Sequence, residues 1–211
     1  MKWNPDIINT RIAPNISNFN SANIPELTNK FSQAKHWLTN HFLNSVLRDG
    51  FKPPNKQVVI SYLRRAQNSF LEYHIARSAT YEYLEKNDPL NPNLMKYYEA
   101  ITHWEYFILQ YAMAIDLFNW LNLGEKAFAK NDGSKDQRLY DMANAIKHLP
   151  SDITSGQCKE EHSIPLWIEN NGLKSFQYAI TFVEVSEALR ELSTIADELH
   201  DPKTFKENTK N

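Results

Sequence analysis

The chain has 211 residues, of which 42% are hydrophobic and 23% charged, and its formal net charge at pH 7 is −2. These proportions are typical of a globular protein and exclude an intrinsically disordered chain. Because the net charge is near neutral, the chain lacks the overall positive charge that is common in nucleic-acid-binding domains. Any contact with a nucleic acid must therefore come from a local basic patch. Glycine is scarce, at 5 residues, which favours long helices over a β-fold rich in tight turns.

The N-terminal part is predicted to contain an arm and one helix. Residues 1–22 are rich in Asn, Ile and Pro without a helical period, which predicts an extended arm before a single helical-bundle domain over 23–201. The first helix is predicted over 25–48, because proline suits the first turn and Asp49-Gly50 supplies a stop. Its core-facing side chains recur every three or four residues: Leu27, Phe31, Ala34, Leu38, Phe42 and Val46.

Two longer helices follow. The second is predicted over 56–86, after the break at Pro53-Pro54. The third begins at Asn91, a cap followed by Pro92 in the first helical position, and it ends at Gly124. Its middle, WEYFILQYAMAIDLFNWL, is apolar almost all round. Because such a helix is buried on most sides, it either forms the centre of the bundle or also contacts a second subunit.

A polar loop leads to a short fourth helix. Ser134 and Gln137 have the spacing of a capping box, in which the two residues satisfy backbone donors at the start of a helix. Pro150 is expected to end this helix near His148, because proline removes a backbone donor and clashes with the preceding turn. The inner face of the helix is formed by Leu139, Met142, Ala143 and Ile146.

The chain then changes from helix to strand. A β-hairpin is predicted over 164–180, because Asn171-Gly172 can supply the positive φ angles of a tight turn. Thr181 and Glu184 form a second capping box, which opens a final amphipathic helix, and residues 202–211 are predicted to be a loose tail. The fold class is therefore mainly α, a bundle of four to five long helices with one small hairpin before the last helix.

The compartment predicted from the sequence is the cytoplasm. The first residues lack the apolar run of a signal peptide, and no stretch of about 18 residues is free of polar groups, so no membrane contact is expected. The single cysteine, Cys158, cannot form an intramolecular disulfide or a zinc site built from several thiolates, and it fits a reducing environment.

Long helices that contain Glu and His raise the question of a di-iron carboxylate site. Such sites need Glu-x-x-His on two helices, so that both ligands lie one turn apart and face inward. Here Glu72 and His74 are two residues apart, and Glu99 and His103 are four apart on one helix. Neither spacing fits, so no metal or other cofactor is expected. The sequence also contains no Gly-rich phosphate loop and no Gly-x-Ser-x-Gly motif.

The fourth helix carries the main candidate site. Asn144 and His148 are four residues apart, so both side chains leave one helical face near its C-terminal end. Arg138 lies ten residues before His148, nearly three turns away, and Lys147 adds a second cation beside the histidine. A histidine at a helix C-terminus is equally explained as a simple capping cation that interacts with the helix dipole.

The segment RLYDMANAIKHLP resembles the signature helix of the HEPN superfamily (higher eukaryote and prokaryote nucleotide-binding domains). Members are helical bundles, often dimeric, which are common in bacterial toxin–antitoxin, abortive-infection and RNA-targeting defence systems. Their motif is an Arg, usually followed by a polar residue, with a His about four to six positions after the Arg. Asn144 and His148 match the polar residue and the His, whereas Met142 or Ala143 stands where the Arg belongs.

The resemblance implies two functions. In catalytic members, Arg and His from two subunits meet across a dimer cleft and cleave RNA without metal. His148 would then move protons, Asn144 would orient phosphate or imidazole, and Arg138 or Lys147 would stabilise the phosphoryl transition state.

Loss of the motif Arg instead favours a non-catalytic binding or dimerisation module of a defence or toxin–antitoxin system. Its partners would be a second copy of the chain, forming a homodimer, together with RNA, a nucleotide or another protein. A helical protein of unrelated function, in which His148 merely caps a helix, is the third alternative.

Overall fold

The computed structural model describes residues 4–48, 53–88, 91–121, 126–156 and 164–200, with side chains to residue 44 in the first range. Several features of the sequence analysis lie outside the described residues: the helix stops at Asp49-Gly50 and Gly124, the side chain of Val46, Cys158 and the predicted tail. The prediction of a mainly α fold with a small β-hairpin before the last helix is confirmed, and the structure adds a third strand to the hairpin. The elements are α1 (Pro5–Arg11), α2 (Thr28–Ala34), α3 (Trp37–Arg48), α4 (Asn55–Lys86), α5 (Leu94–Leu121), α6 (Lys135–Thr154), β1 (Leu166–Glu169), β2 (Gly172–Ser175), β3 (Ala179–Thr181) and α7 (Phe182–Leu199).

The N-terminal segment differs from the predicted extended arm, because it contains α1 and a 3-10 turn at Ile16–Asn18. The side chain of Asn4 accepts a hydrogen bond from the Asp6 N–H (2.9 Å), and Pro5 occupies the first turn, an arrangement that favours a helix start. α1 has only seven residues, and Ile8 is its single buried side chain. One apolar position cannot produce the repeating pattern by which a helix is recognised in a sequence.

The predicted first helix is two helices, separated at Lys35-His36. Trp37 starts α3, is 1% exposed, and its indole N–H donates to the Asp197 carboxylate of α7 at 2.7 Å. Phe42, which the apolar pattern placed in the core, is 64% exposed. The helical period of the sequence therefore continues across the turn at Lys35-His36, which separates the two helices.

The segment before α2 is extended and lies against α4. The Tyr73 hydroxyl donates to the Pro25 carbonyl at 2.6 Å, and the Tyr81 hydroxyl accepts from the Ile24 N–H at 3.1 Å. Phe19 is buried and stacks on Tyr83 with 5.7 Å between ring centroids. Pro25 therefore belongs to this docked segment and does not open a helix as predicted.

α4 and α5 form the centre of the fold as an antiparallel pair. The bounds of α4 agree with the predicted second helix to within a residue. The two helices are joined by the hydrogen bonds Arg65 to Gln110 (2.9 Å) and Trp104 to Thr80 (3.0 Å). The start of α5 differs from the prediction, because Asn93, and not Asn91, accepts from a first-turn N–H, at 3.3 Å.

The apolar character of α5 is explained largely within one chain. α5 contacts α4, α6 and β1, and its large exposed apolar side chains are Met95, Tyr98, Tyr106 and Trp120. The first of the two predicted alternatives, a helix at the centre of the bundle, therefore accounts for most of its surface. Across the ranges that the structure describes, no helix combines the length and apolarity that a membrane span needs.

α6 starts as predicted but does not end as predicted. The Ser134 hydroxyl accepts from the Gln137 N–H at 3.2 Å. The predicted reciprocal bond is absent from this described turn, because the Gln137 side chain accepts from the Gly133 N–H instead, at 2.7 Å. The helix then continues through Pro150 to Thr154. The Ser151 hydroxyl donates to the His148 carbonyl at 2.7 Å, adding a hydrogen bond to the turn in which proline lacks a donor.

The predicted hairpin is part of a three-stranded sheet in the order β1-β2-β3. Glu169 pairs with Gly172, so the turn consists of Asn170 and Asn171. Positive φ is found among the described residues at other positions, which makes the predicted role of Gly172 wrong. A Cβ at Gly172 would overlap the Ile180 carbonyl of β3, so this glycine is required by the close approach of a neighbouring strand.

The capping box before α7 is confirmed. The Thr181 hydroxyl accepts from the Glu184 N–H at 3.2 Å, while the Glu184 carboxylate accepts from the Thr181 N–H at 2.9 Å. The apolar face of α7 packs on α4, where the Tyr62 hydroxyl donates to the Leu192 carbonyl at 3.1 Å. All members of that face except the half-buried Ile195 are buried: Val185, Ala188, Leu189, Leu192, Ala196 and Leu199.

Candidate functional site

Asn144 and His148 line the same cavity, which lies between α6 and the connection from β2 to β3. Its volume is about 300 Å³, near the lower end of the range for small-molecule sites. We call it the α6 cleft. Its walls are Asp141, Asn144, Ala145, His148, Ser151 and Asp152 on α6, and Ser175, Phe176, Gln177 and Tyr178 opposite.

The α6 wall is one face of a continuous helix. Its members follow one another at intervals of three residues or one residue, which keeps their side chains on one side of the helix. Ser151 and Asp152 belong to the cleft only because α6 continues past Pro150. The sequence prediction missed both residues, since it ended the helix at the proline.

The opposite wall is a tight connection between two strands. The Ser175 N–H donates to the Tyr178 carbonyl at 2.8 Å, and the Tyr178 N–H donates to the Ser175 hydroxyl at 3.2 Å. Phe176, within this connection, packs against Trp167 of β1 with 6.2 Å between ring centroids. The wall is therefore held by its own hydrogen bonds and by the sheet behind it.

The polar groups of the cleft fall into two sets. The Tyr178 hydroxyl donates a hydrogen bond to the Asp141 carboxylate, and burial raises the pKa of Asp141. The side chains of Asn144, His148 and Asp152, in contrast, have no hydrogen-bonding partner in the part of the chain that the structure describes. Asn144 and Asp152 are half-buried and His148 is exposed, so these three side chains are available to a ligand.

Arg138 does not line the α6 cleft. Its guanidinium lies 2.5 Å from the Glu184 carboxylate of α7 and donates to the Ala179 carbonyl of β3 at 2.8 Å. It lines a separate cavity of about 170 Å³ next to Gly172 and Thr181. Within one chain, Arg138 therefore joins α6 to the sheet and to the start of α7, and it is not brought together with His148.

Lys147 also lies outside the cleft walls. Its ammonium group is 5.9 Å from the centre of the Tyr140 ring. The described residues that line the cleft therefore include the carboxylates of Asp141 and Asp152 and the imidazole of His148, but no lysine or arginine. A phosphoryl group held at His148 would lie about one helical turn from the Asp152 carboxylate and would meet no cation from these walls.

The Glu and His residues considered for a metal site do not contact the partners that their sequence spacing suggested. His103 of α5 lies 2.8 Å from the Glu72 carboxylate of α4, and Glu99 binds Lys96 at 2.8 Å. Over the described ranges, no group of three His, Cys, Asp or Glu side chains could hold a metal ion. The Glu72–His103 contact is therefore a two-residue link between the central helices.

Comparison with known proteins leaves the function open. No family model, curated protein or solved structure matches this chain. The resemblance to HEPN domains therefore rests on the sequence of the α6 segment alone. The chemistry of the α6 cleft is the remaining basis for a functional conclusion.

Proposed function

We propose that this protein is a non-catalytic, HEPN-like binding module of a bacterial defence or toxin–antitoxin system, and that the α6 cleft is its binding site. The observation that supports this is the charge of the cleft. Asn144 and His148 share it with Asp141 and Asp152, and no lysine or arginine is among its described lining residues. Carboxylates repel the anionic transition state of RNA cleavage, whereas they do not prevent binding of a neutral or positively charged group.

The contacts of Arg138 also favour a binding role. Catalysis by this residue would require its guanidinium to leave Glu184 and the Ala179 carbonyl. Glu184 belongs to the capping box of α7, so the ion pair supports a helix start as well as the α6–sheet contact. Arg138 therefore has a structural role that competes with a catalytic one.

A metal-independent ribonuclease is the second candidate function, and the presence of Asn144 and His148 in one cleft favours it. His148 would transfer the proton, and a second copy of the chain would have to supply the cation. The homodimer that the resemblance implies is part of both proposals. Light scattering after gel filtration should therefore give twice the chain mass of 24.6 kDa, and a strict monomer would count against both.

Incubation of RNA with purified protein in excess chelator separates the two functions. We expect RNA to stay intact with the wild type and with His148→Ala. The matched control is His36→Ala, which removes an exposed histidine outside the cleft. Cleavage by the wild type and by the His36 variant, but not by the His148 variant, would overturn the binding proposal and establish the ribonuclease.

Fragment binding followed by NMR tests the cleft itself. Uniformly labelled protein is titrated with a mixture of anionic, neutral and cationic fragments, and shifts are expected at 141–152 and 175–178. Ala145→Phe should abolish these shifts, because the larger side chain fills the cleft that Ala145 lines. Ser78→Phe, at an exposed position of α4, should not. If no fragment shifts the cleft residues, the cleft is not a binding site and the proposal is wrong.

A further inference from the structure

The charge of the α6 cleft also defines a class of ligand. We infer that the cleft binds an organic cation that carries more than one amine or guanidinium group, an inference that rests on the proposed binding function of the cleft. Asp141 and Asp152 are its two carboxylates, and none of the described lining residues is a lysine or arginine that could neutralise them. A cation is the ligand charge that these walls favour.

Both carboxylates have unused capacity to accept hydrogen bonds. Asp141 accepts one from the Tyr178 hydroxyl, and a carboxylate has about four acceptor positions. The Asp152 carboxylate has no hydrogen-bond donor among the described residues. An ammonium group brings three donors and a guanidinium five, so a ligand of this class supplies the partners that the walls lack.

Aromatic and amide groups complete the same walls. Phe176 and Tyr178 lie opposite α6, and an aromatic ring attracts a cation to its face. The half-buried Asn144 adds an amide oxygen that has no partner in the described chain. This combination of rings and oxygen acceptors suits a ligand with an aliphatic chain and charged nitrogens.

The spacing of the two carboxylates indicates the shape of the ligand. Asp141 and Asp152 are eleven residues apart on α6, which corresponds to about 16 Å along the helix axis. Two groups so far apart cannot coordinate a single small ion. They can each bind one end of a linear molecule that passes His148, as in a polyamine.

Titration calorimetry of the full chain with spermidine, at pH 7.5 and low salt, tests the inference. We expect one molecule to bind per chain, with affinity lowered about tenfold in Asp141→Asn and in Asp152→Asn, each of which removes one charge from the cleft. Both substitutions keep the shape of the side chain, and the amide oxygen introduced at position 141 can still accept from the Tyr178 hydroxyl. The matched control is Glu85→Gln, an exposed site on α4, which should leave binding unchanged.

The outcomes separate this inference from the proposed function. Equal loss of affinity in the Glu85→Gln control would show binding to general surface charge and overturn the inference. Cleft shifts caused by neutral or anionic fragments, without spermidine binding, would also overturn it but leave the binding module intact. If no fragment binds, both fail. A lysine-rich peptide that binds more tightly than spermidine would uphold a cationic ligand and assign it to a partner protein.

Discussion

Replacing Glu105 by glutamine is expected to stabilise the protein at neutral and alkaline pH. Glu105 is half-buried on α5, and no residue in the described ranges gives its carboxylate a hydrogen bond or an ion pair. Burial raises the pKa of Glu105 from 4.5 to about 7. The folded state therefore favours the protonated carboxyl, and the stability that this provides is complete below pH 4.5 and lost as pH rises through 7.

The magnitude follows from the two pKa values. Ionising Glu105 in the folded state at pH 8 costs roughly 3 kcal/mol as an upper value, and at pH 5 the cost is under about 1 kcal/mol. Residual contact with water reduces both figures, so we expect about 2 kcal/mol at pH 8. Glutamine keeps the shape of the side chain and carries no charge, so Glu105→Gln removes this cost.

Urea unfolding followed by tryptophan fluorescence at pH 5, 6.5 and 8 measures the effect. The difference in unfolding free energy between Glu105→Gln and the wild type should grow with pH. The control is Glu85→Gln, because Glu85 is exposed on α4 and its substitution should give the same small difference at each pH. A Glu105→Gln variant that is less stable than the wild type at pH 8 would refute the reasoning, since it would mean that the carboxylate has a stabilising partner.

Three further predictions concern other parts of the fold. Gly172→Ala should destabilise the protein by about 3 kcal/mol in thermal unfolding, because its Cβ overlaps the Ile180 carbonyl; an unchanged melting temperature would contradict this. Burial lowers the pKa of His74 below 6.5, so the free energy of unfolding should fall as pH drops below 6.5. The fall should be smaller in His74→Gln, as measured by urea unfolding at several pH values. An equal dependence on pH in the wild type and the variant would rule out His74 as the cause. Arg138→Met should lower the free energy of unfolding by about 1 kcal/mol or more, because Glu184 loses its ion pair. The same variant should bind spermidine as tightly as the wild type in calorimetry. A loss of spermidine affinity would place Arg138 in the binding site.

Features set by neighbouring residues were predictable from the sequence. The cap at Ser134 and the box at Thr181–Glu184 depend on side chains and N–H groups three residues apart, so the pattern contains all that is needed. The start of α4 was predictable for a similar reason, because the break at Pro53-Pro54 lies directly before it. The shared face of Asn144 and His148 also follows from helical spacing alone.

Features set by distant residues were not predictable in this way. The start of α3 is held by a hydrogen bond from Trp37 to Asp197, 160 residues later. The need for glycine at position 172 comes from a carbonyl on the adjacent strand. The second carboxylate of the candidate site, Asp152, lines the cleft because α6 continues past Pro150. The sequence did not predict this, because proline usually ends a helix.

The docked N-terminal segment has a consequence for the order in which the protein folds during synthesis. Phe19 leaves the ribosome before its ring partners Tyr83 and Tyr97, which follow 64 and 78 residues later. The segment therefore cannot reach its final position until α4 and the first turn of α5 have been made. Its first contacts are long-range in sequence, which slows folding relative to a helix pair alone. Until then the nascent chain carries an exposed apolar segment, the kind of surface that chaperones protect.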